Sequence, residues 1–387
     1  MNNLGIIENR NINKAGDEMD RKDILKVMEN IYTSQEAAEY LGMSYEAFCQ
    51  IVQSQQIQPI KQSHTVMLFL KSDLDDYRQM SHLQEPFNIN QVSVRDAILY
   101  YTIQQYLDNS DKKTLAFIQQ IKQFYHFDFH AGLKINIPFL ASQFHITEQE
   151  FYNSYLQIKK AFTQLPANTH IIKKGEDKYP QQLADTKEAP LFLFVNGQMD
   201  LLYQKSICVV GSRQASPYAV EQTKQLVKAL VDDGFVVNAG LAKGIDTVVH
   251  QTVLQNKGQT IAVIGTSLHE YYPKENQTLQ LTIEKEGLVV SQYPPCQHVN
   301  RWNFPKRNAT MSGLSIGTVI MEARENSGTL KQADYALRQG RYVFIPQYIV
   351  NDTSLQWPQK YMDKGAYVFE TYDDIIKIIK HQKQEEC

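Results

Sequence analysis

The sequence predicts an α/β fold with a mostly parallel sheet, and the sheet occupies the second half of the chain. Residues 207–210 form a short β-rich run that leads into the loop 211–213. Ser216 and Pro217 then supply the N-cap and the first-turn proline of an amphipathic helix. A second β-rich run with a glycine-rich loop follows within 235–246. Because the carboxyl ends of strands in open parallel sheets form the ligand crevice, the sequence predicts a binding crevice at that edge.

The length and composition of the chain predict several domains without a membrane segment. A chain of 387 residues is expected to divide into two or three domains. Residues 1–30 form a polar leader without the apolar stretch of a signal peptide, and no apolar run has the length of a membrane span. A cytoplasmic protein that does not bind membranes is therefore expected. The four cysteines share no metal-ligand spacing, so we expect reduced thiols and no metal site.

Residues 31–80 predict a helix-turn-helix module. Residues 33–36 have the composition of a capping box that begins a first helix, Gly42 lies at a turn, and Ser44 caps a second helix. Two short β-rich runs, within 57–60 and 66–70, would form a hairpin or wing. This arrangement resembles the winged helix-turn-helix of the MerR and phage-excisionase group.

In that group the second helix enters the major groove of duplex DNA. The resemblance implies groove contacts at four positions of the second helix, Tyr45, Glu46, Gln50 and Gln53, and wing contacts at Lys61 and His64. However, residues 31–80 contain three basic and six acidic side chains, an unusual balance for a surface that neutralises phosphates. A protein-interaction or dimerisation role therefore stays open beside duplex-DNA binding.

Residues 92–165 predict a helical connector domain. Apolar residues recur at helical spacing, as in Ala97, Ile98 and Tyr101, and residues 81–90 before them form a plausible boundary. His126 and His130 lie four residues apart without a third ligand at metal spacing, so they are interpreted as surface or packing histidines.

The loops of the remaining segment, residues 168–387, predict a phosphorylated ligand. Gly240 and Gly244 permit close backbone approach and leave helix N-terminal N–H groups free for an anion. Arg213 lies between a strand and a helix, where its guanidinium can grip a phosphate, although it could instead pair with a carboxylate. Lys243 lies among the glycines. Asp246 and His250 are one helical turn apart, and we expect them to fix the loop inside the domain.

The segment 302–308 combines aromatic and basic residues. Lys306, Arg307 and Asn308 follow Trp302 and Phe304. Binding of single-stranded nucleic acid requires this combination, because positive charge binds the phosphate backbone and an aromatic ring stacks on a base. Phe304 could instead belong to the core.

The net charge of the whole chain is −3, but the charge is unevenly distributed. Residues 206–346 contain 14 Lys or Arg and 11 Asp or Glu, so this region has a net charge of +3. The sequence therefore argues against indiscriminate nucleic-acid binding by the whole surface and favours one basic edge.

Five fragments in this half of the chain resemble, in order and spacing, the motifs of the DNA-processing protein A (DprA/Smf) family. They lie at residues 211–213, 240–250, 272–276, 304–308 and 322–328. The resemblance extends from about residue 179 to residue 376, so it covers about half of the chain. It implies an extended Rossmann-like domain that binds single-stranded DNA, protects it and passes it to a RecA-type recombinase during recombination or natural transformation. It also implies a homodimer formed through the sheet domain.

Loop position and resemblance together select candidate residues for contact with single-stranded DNA or its phosphates. They are Gly211, Ser212, Arg213, Gly240, Lys243, Gly244, Phe304, Lys306, Arg307, Asn308, Ser327 and Gly328. Three positions depart from the family pattern, because Ala309 replaces an arginine, Ala239 a serine and Gln292 an acidic residue. The changes at Ala309 and Ala239 each remove a polar contact from the predicted groove, and the change at Gln292 removes a negative charge.

The sequence supports an enzyme less well than it supports a binding protein. The sheet domain also resembles nucleotide phosphoribohydrolases, which carry a glutamate three positions after a Gly-Thr pair, whereas this chain has Gln332 there. An amide cannot act as a base or stabilise an oxocarbenium ion. We therefore expect a binding protein without catalytic residues or a cofactor. Two alternatives stay open: a nucleotide-sensing regulator with a DNA-binding N-terminal module, and a nucleoside-monophosphate phosphoribohydrolase.

Overall fold

The computed structural model describes residues 28–53, 57–63, 66–81, 92–129 and 132–385. The chain divides into two compact units, Met1–Glu85 and Pro86–Cys387. Most of the predicted leader and of the boundary segment lies outside the described residues, as do His64, His130 and Cys387.

The described part of the first unit includes three helices and a small antiparallel sheet. Its elements are β1 (Ile31–Thr33), α1 (Ser34–Tyr40), α2 (Tyr45–Gln53), β2 (Lys61–Gln62), β3 (Met67–Leu70) and α3 (Lys71–Ser81), with strand order β1-β3-β2. The predicted capping box is confirmed, because the Thr33 amide donates to Glu36 Oε2 at 2.7 Å and the Glu36 amide donates to Thr33 Oγ1 at 3.4 Å. Gly42 has a φ of +70°, so the turn between α1 and α2 suits glycine.

The core of this unit forms where the helices meet β3. Phe48 of α2 packs edge-on against Phe69 of β3, with ring centroids 5.1 Å apart. Leu74 of α3 is also fully buried. The side chains of Tyr45, Gln50, Gln53 and Lys61 are exposed, so the positions predicted for duplex-DNA contact are accessible within this unit.

Four helices begin the second unit: α4 (Val92–Gln105), α5 (Asp111–Tyr125), α6 (Leu133–Phe144) and α7 (Glu148–Phe162). Helix α4 is buried around most of its circumference. Leu99 and Ile103 pack among the helices, whereas Ile98 and Tyr101 pack in a cluster with Phe192 of the sheet. Since a helix that is apolar all round must be covered on all sides, the helical segment and the sheet share a core.

A nine-stranded sheet forms the centre of the second unit. Its strands are β4 (His170–Lys173), β5 (Phe192–Gly197), β6 (Ser206–Val210), β7 (Val236–Ala239), β8 (Thr260–Ile264), β9 (Leu288–Ser291), β10 (Gly317–Ile320), β11 (Tyr342–Pro346) and β12 (Tyr367–Phe369). Their order is β12-β11-β10-β6-β7-β8-β9-β5-β4, and only the pairs that involve β5 and β4 are antiparallel. The prediction of a mostly parallel sheet is confirmed. The central strands are buried on both faces, which explains their continuous apolar sequences.

Helices cover both faces of the sheet. They are α8 (Gln181–Ala184), α9 (Pro217–Asp232), α10 (Ile245–Gln255), α11 (Gln277–Glu286), α12 (Asn303–Gly313), α13 (Gly328–Arg338), α14 (Gln347–Val350), α15 (Trp357–Met362) and α16 (Tyr372–Glu385), with 3-10 helices at Met199–Tyr203 and Lys274–Asn276. Ser216 caps α9 as predicted, since its Oγ accepts from the Ala219 amide at 3.1 Å. No helix in the described part of the chain is long and apolar enough to cross a membrane.

The direction of strand addition reverses at β6. Strands β7, β8 and β9 follow on one side of it, and β10, β11 and β12 on the other. The loops after β6, β7 and β8 therefore meet at the carboxyl edge of the sheet, where ligands bind in open α/β folds.

Candidate nucleic-acid interface

A shallow pocket with a cavity volume of about 50 Å³, open to solvent, lies at the carboxyl ends of β6, β7 and β8. Its walls come from the loops after these strands, the start of α12 and the turn before α11. The lining residues are Arg213, Gly240, Ala242, Lys243, Gly265, Tyr272, Pro273, Phe304 and Arg307. The structure thus brings together five residues selected from the sequence, namely Arg213, Gly240, Lys243, Phe304 and Arg307.

Two glycines make the pocket possible. A Cβ atom at Gly240 would lie 2.1 Å from Arg307 Nη1, closer than any side chain permits. Gly244 has a φ of +77°, and a Cβ there would lie 2.2 Å from the carbonyl oxygen of Ser212. A larger residue at position 244 would therefore push the loops after β6 and β7 apart, and one at position 240 would displace the Arg307 guanidinium.

The loop after β7 is held by side chains from beneath. Asp246 Oδ2 accepts hydrogen bonds from the amides of Gly240 at 3.1 Å and Ala242 at 3.3 Å. Burial raises the pKa of Asp246, and the positive charge of Arg307 opposes that shift. Asn276 Nδ2 donates to the carbonyl of Leu241 at 3.0 Å. These bonds agree with the expectation that Asp246 fixes the loop.

His250 contributes to the same support without acting as a base for the pocket. Its Nδ1 lies 2.8 Å from Thr260 Oγ1, and that hydroxyl donates to the Val237 carbonyl at 2.8 Å. Burial lowers the pKa of His250 to about 3, so the ring is neutral at physiological pH. Both neighbours are strand residues, and His250 therefore ties α10 to the sheet.

Arg307 lies in the wall of the pocket rather than at its mouth. The residue is 5% exposed, and its Nη1 donates to the carbonyl oxygen of Gly240 at 2.5 Å and also to that of Val263. Burial lowers the pKa of the guanidinium, while Asp246 raises it. This geometry favours a positioning role, and the direct phosphate contact predicted for Arg307 stays a prediction.

Two cations are accessible at the rim. Arg213 is exposed, and among the described residues no carboxylate lies within ion-pair distance of it. Lys243 Nζ lies 2.6 Å from Glu275 Oε1, and the two side chains are 56% and 66% exposed. The hydrogen bond from Lys243 lowers the pKa of Glu275. Because such an exposed pair is well solvated, a phosphate can replace the carboxylate at low cost.

An aromatic pair lines the other side of the pocket. The rings of Tyr272 and Phe304 have centroids 5.1 Å apart at an interplanar angle of 47°. Phe304 is half-buried and lies against Gly265, whereas Tyr272 is 51% exposed. Tyr272 was not among the predicted site residues, although it lies in the fragment 272–276 that resembles a family motif.

The other predicted residues lie outside this pocket. Asn308 Nδ2 donates to the Gly328 carbonyl at 3.3 Å, and Thr329 Oγ1 donates to the Gly211 carbonyl at 3.1 Å. The start of α13 therefore lies beside the end of β6, where Ser327 has a buried hydroxyl without a hydrogen-bond partner among the described residues. Lys306 lines a separate, larger cleft.

Two of the positions that depart from the family pattern are buried, since Ala239 is fully buried and Ala309 is 2% exposed. Gln292 is partly exposed in the larger cleft, where it accepts a hydrogen bond from Thr310. Gln332 is also fully buried, with its Nε2 3.3 Å from Thr318 Oγ1. The side chain of Gln332 therefore lies between α13 and the sheet, away from the pocket.

Comparison with known proteins gives consistent matches over the sheet domain. A family model described as DNA recombination-mediator protein A matches residues 170–380. The DNA processing protein DprA of Streptococcus pneumoniae is 39% identical over 210 residues, which are 53% of this chain and 73% of that protein. DprA of Bacillus subtilis is 33% identical over 230 residues, 59% of this chain and 77% of its own length. The X-ray structure of the S. pneumoniae protein superposes with a TM-score of 0.54 at 33% identity, over 62% of this chain and 86% of that structure.

Proposed function

The chain belongs to the DNA recombination-mediator protein A family, and on this premise we propose that it binds single-stranded DNA in the pocket at the carboxyl edge of the sheet. The observation that carries the proposal is the pairing of two accessible cations with two rings around one opening. Arg213 and Lys243 supply charge for the phosphates, and Tyr272 and Phe304 supply faces for a base. This is the combination that binds single strands without sequence preference.

The buried groups around the pocket support the same proposal. Asp246, Asn276 and Arg307 hold the loops by hydrogen bonds to backbone atoms. The rim is therefore shaped before the ligand arrives, and less conformational entropy is lost on binding. The end of β6 and the start of α13 offer a second place for a phosphate. The residues around it are Gly211, Ser212, Gly244, Asn308, Ser327 and Gly328.

The biological role follows as a wider proposal. As a recombination mediator, the protein would protect single strands and transfer them to a RecA-type recombinase, as a homodimer formed through the sheet domain. Sedimentation analysis of the full chain tests the dimer, and a strand-exchange assay with a RecA-type protein tests the transfer. A monomer at all concentrations, or unchanged strand exchange, would contradict these two points respectively.

For the first unit we propose a winged helix-turn-helix with α2 as its recognition helix. Tyr45, Gln50 and Gln53 are exposed on α2, and Lys61 is exposed on β2. Its acidic balance supports contact with another protein as much as contact with duplex DNA. Duplex binding by the full chain that is unaffected by Gln50→Ala and Lys61→Ala would favour the protein-contact role.

We also propose that the protein binds its ligand without catalysing a reaction. Gln332 occupies the position at which a phosphoribohydrolase would carry its glutamate, and its amide is enclosed between α13 and β10. No chemical step can be assigned to a neutral, buried amide that does not line the pocket.

Fluorescence anisotropy with a labelled oligothymidine tests the central proposal. The full chain should bind the single strand more tightly than a duplex of the same length, and the affinity should fall steeply as salt rises. Lys285→Ala is a suitable control, because Lys285 is exposed in the last turn of α11, at the opposite edge of the sheet. Binding no stronger than that of an acidic control protein at low salt would remove the proposal and favour the nucleotide sensor.

A further inference from the structure

The chain contains two tryptophans, and Trp302 is the more exposed of them. Its side chain is 63% exposed, whereas Trp357 is 1% exposed in the core of the sheet domain. The guanidinium carbon of Arg301 lies 5.0 Å from the centroid of the Trp302 ring. One face of the indole is therefore covered by a cation, and the remaining surface of the ring is open to solvent.

The backbone around Trp302 is ordered by hydrogen bonds. The Trp302 amide donates to Asn300 Oδ1 at 2.9 Å, and the Trp302 carbonyl accepts from the Lys306 amide at 3.3 Å. Trp302 is thus the N-cap residue of α12. These hydrogen bonds fix the backbone from which the ring extends, so the fold itself exposes the ring to solvent.

Helix α12 separates two cavities, and Trp302 lies at its start. Phe304 and Arg307, one turn apart, line the pocket described above. Asn303 and Lys306, also one turn apart, line a larger cleft between α4 and the sheet. The first turn of α12 therefore contributes lining residues to both cavities.

The larger cleft offers cations whose charge is not neutralised. Lys306 and Lys187 are exposed, and neither forms an ion pair within the described part of the chain. Of its two carboxylates, Glu188 is paired with a cation, whereas Asp111 accepts from a neutral amide and keeps its negative charge. Asp111 accepts from Gln104 Nε2 at 2.7 Å, and Glu188 lies 3.5 Å from Arg338 Nη2.

We propose that Trp302 and Arg301 form a second base-stacking position, over which a single strand continues from the pocket toward Lys306. A base stacks on the open surface of the indole, and Arg301 and Lys306 contact the flanking phosphates. Arg301 lies over one face of the ring and Lys306 lies one helical turn further along α12, and two cations beside an exposed ring fit a polyanion better than an apolar protein surface. This inference rests on the proposed function and adds a binding residue that the pocket itself does not contain.

Intrinsic tryptophan fluorescence tests this inference, because Trp357 is buried and Trp302 is accessible. An oligothymidine of about 20 nucleotides should quench the emission of the full chain as it binds, and Trp302→Phe should abolish the quenching while most affinity is kept. Trp302→Ala should weaken binding of this oligonucleotide by about five- to 150-fold, the equivalent of one lost stacking contact. An oligonucleotide of about two nucleotides, short enough for the pocket alone, should lose far less affinity.

Thermal unfolding of Trp302→Ala provides the control for folding, and its melting temperature should match that of the wild type because the side chain is exposed. If anisotropy shows binding but the emission is unchanged and Trp302→Ala binds equally well, the inference is wrong and the proposed function stands. The exposed ring would then be a protein contact. If the wild type shows no anisotropy change, the proposed function fails and this inference fails with it.

Discussion

The guanidinium of Arg307 lies directly beneath Gly240, with Nη1 2.5 Å from the glycine carbonyl oxygen. This contact joins α12 to the loop after β7. It requires glycine at position 240, because a Cβ there would meet the guanidinium at 2.1 Å. A buried cation and a glycine thus define the wall of the pocket together, and the exposed cations at the rim are left for the ligand.

Arg307→Lys is expected to destabilise the domain as well as weaken binding. A lysine cannot reproduce the bonds to both the Gly240 and Val263 carbonyls, so the free energy of unfolding should fall by about 1–3 kcal/mol. Urea unfolding measures this change. Unchanged stability together with a flatter salt dependence of DNA binding would show instead that Arg307 contacts a phosphate directly.

Arg213→Ala is expected to weaken binding of all single-stranded sequences to a similar degree. Arg213 is exposed at the rim and is proposed to contact phosphate, so its loss should reduce the slope of log affinity against log salt by about 1. Anisotropy titrations at several salt concentrations, with Lys285→Ala as the matched control, measure the slope. A loss confined to particular base sequences would contradict a phosphate contact.

Phe304→Ala is expected to reduce affinity by about 1–3 kcal/mol with little change in the salt slope, because a stacking contact carries no charge. The partner ring of Tyr272, with its centroid 5.1 Å away, makes Tyr272→Ala a parallel test. Affinity and melting temperature should be measured on the same preparations. Unchanged affinity with a lower melting temperature would assign Phe304 to packing alone.

The stability of the second unit is expected to fall as the pH is lowered from 7 to 5. His250 has a pKa of about 3 in the folded protein, below the ordinary value of about 6.5, so the unfolded chain takes up a proton that the folded chain excludes. The contribution is fully present above pH 6.5 and should have fallen by about 2 kcal/mol at pH 5. Urea unfolding at both pH values, with His250→Gln for comparison, checks this. Equal pH dependence in the two proteins would show that other groups control it.

Incubation with nucleoside monophosphates is expected to release no free base. The position of the phosphoribohydrolase glutamate is occupied by Gln332, which is buried beside Thr318. Gln332→Glu should not create rapid turnover, because the introduced carboxylate would lie inside the domain rather than in the pocket. Chromatography of the reaction mixture detects any base. Its appearance at catalytic rates with the wild-type protein would reverse the binding-protein proposal.

Local sequence patterns were sufficient to predict much of the fold. The cap at Ser216, the capping box at Thr33 and the alternation of strands, glycine loops and helices depend on neighbours within a few residues. In a parallel sheet, that order also places the loops after the strands at one edge. The sequence therefore identified Arg213, Gly240 and Lys243 as members of one site.

Only the tertiary structure decided how the residues of α12 divide between the cavities. With 3.6 residues per turn, Phe304 and Arg307 share one face, while Asn303 and Lys306 share another. The sequence of residues 302–308 does not determine which face of α12 meets the pocket. The rotation of α12 about its own axis depends on its packing against β8 and α13. For the same reason, the burial of Arg307 and the approach of Tyr272 to Phe304 emerged only from contacts between segments distant in sequence.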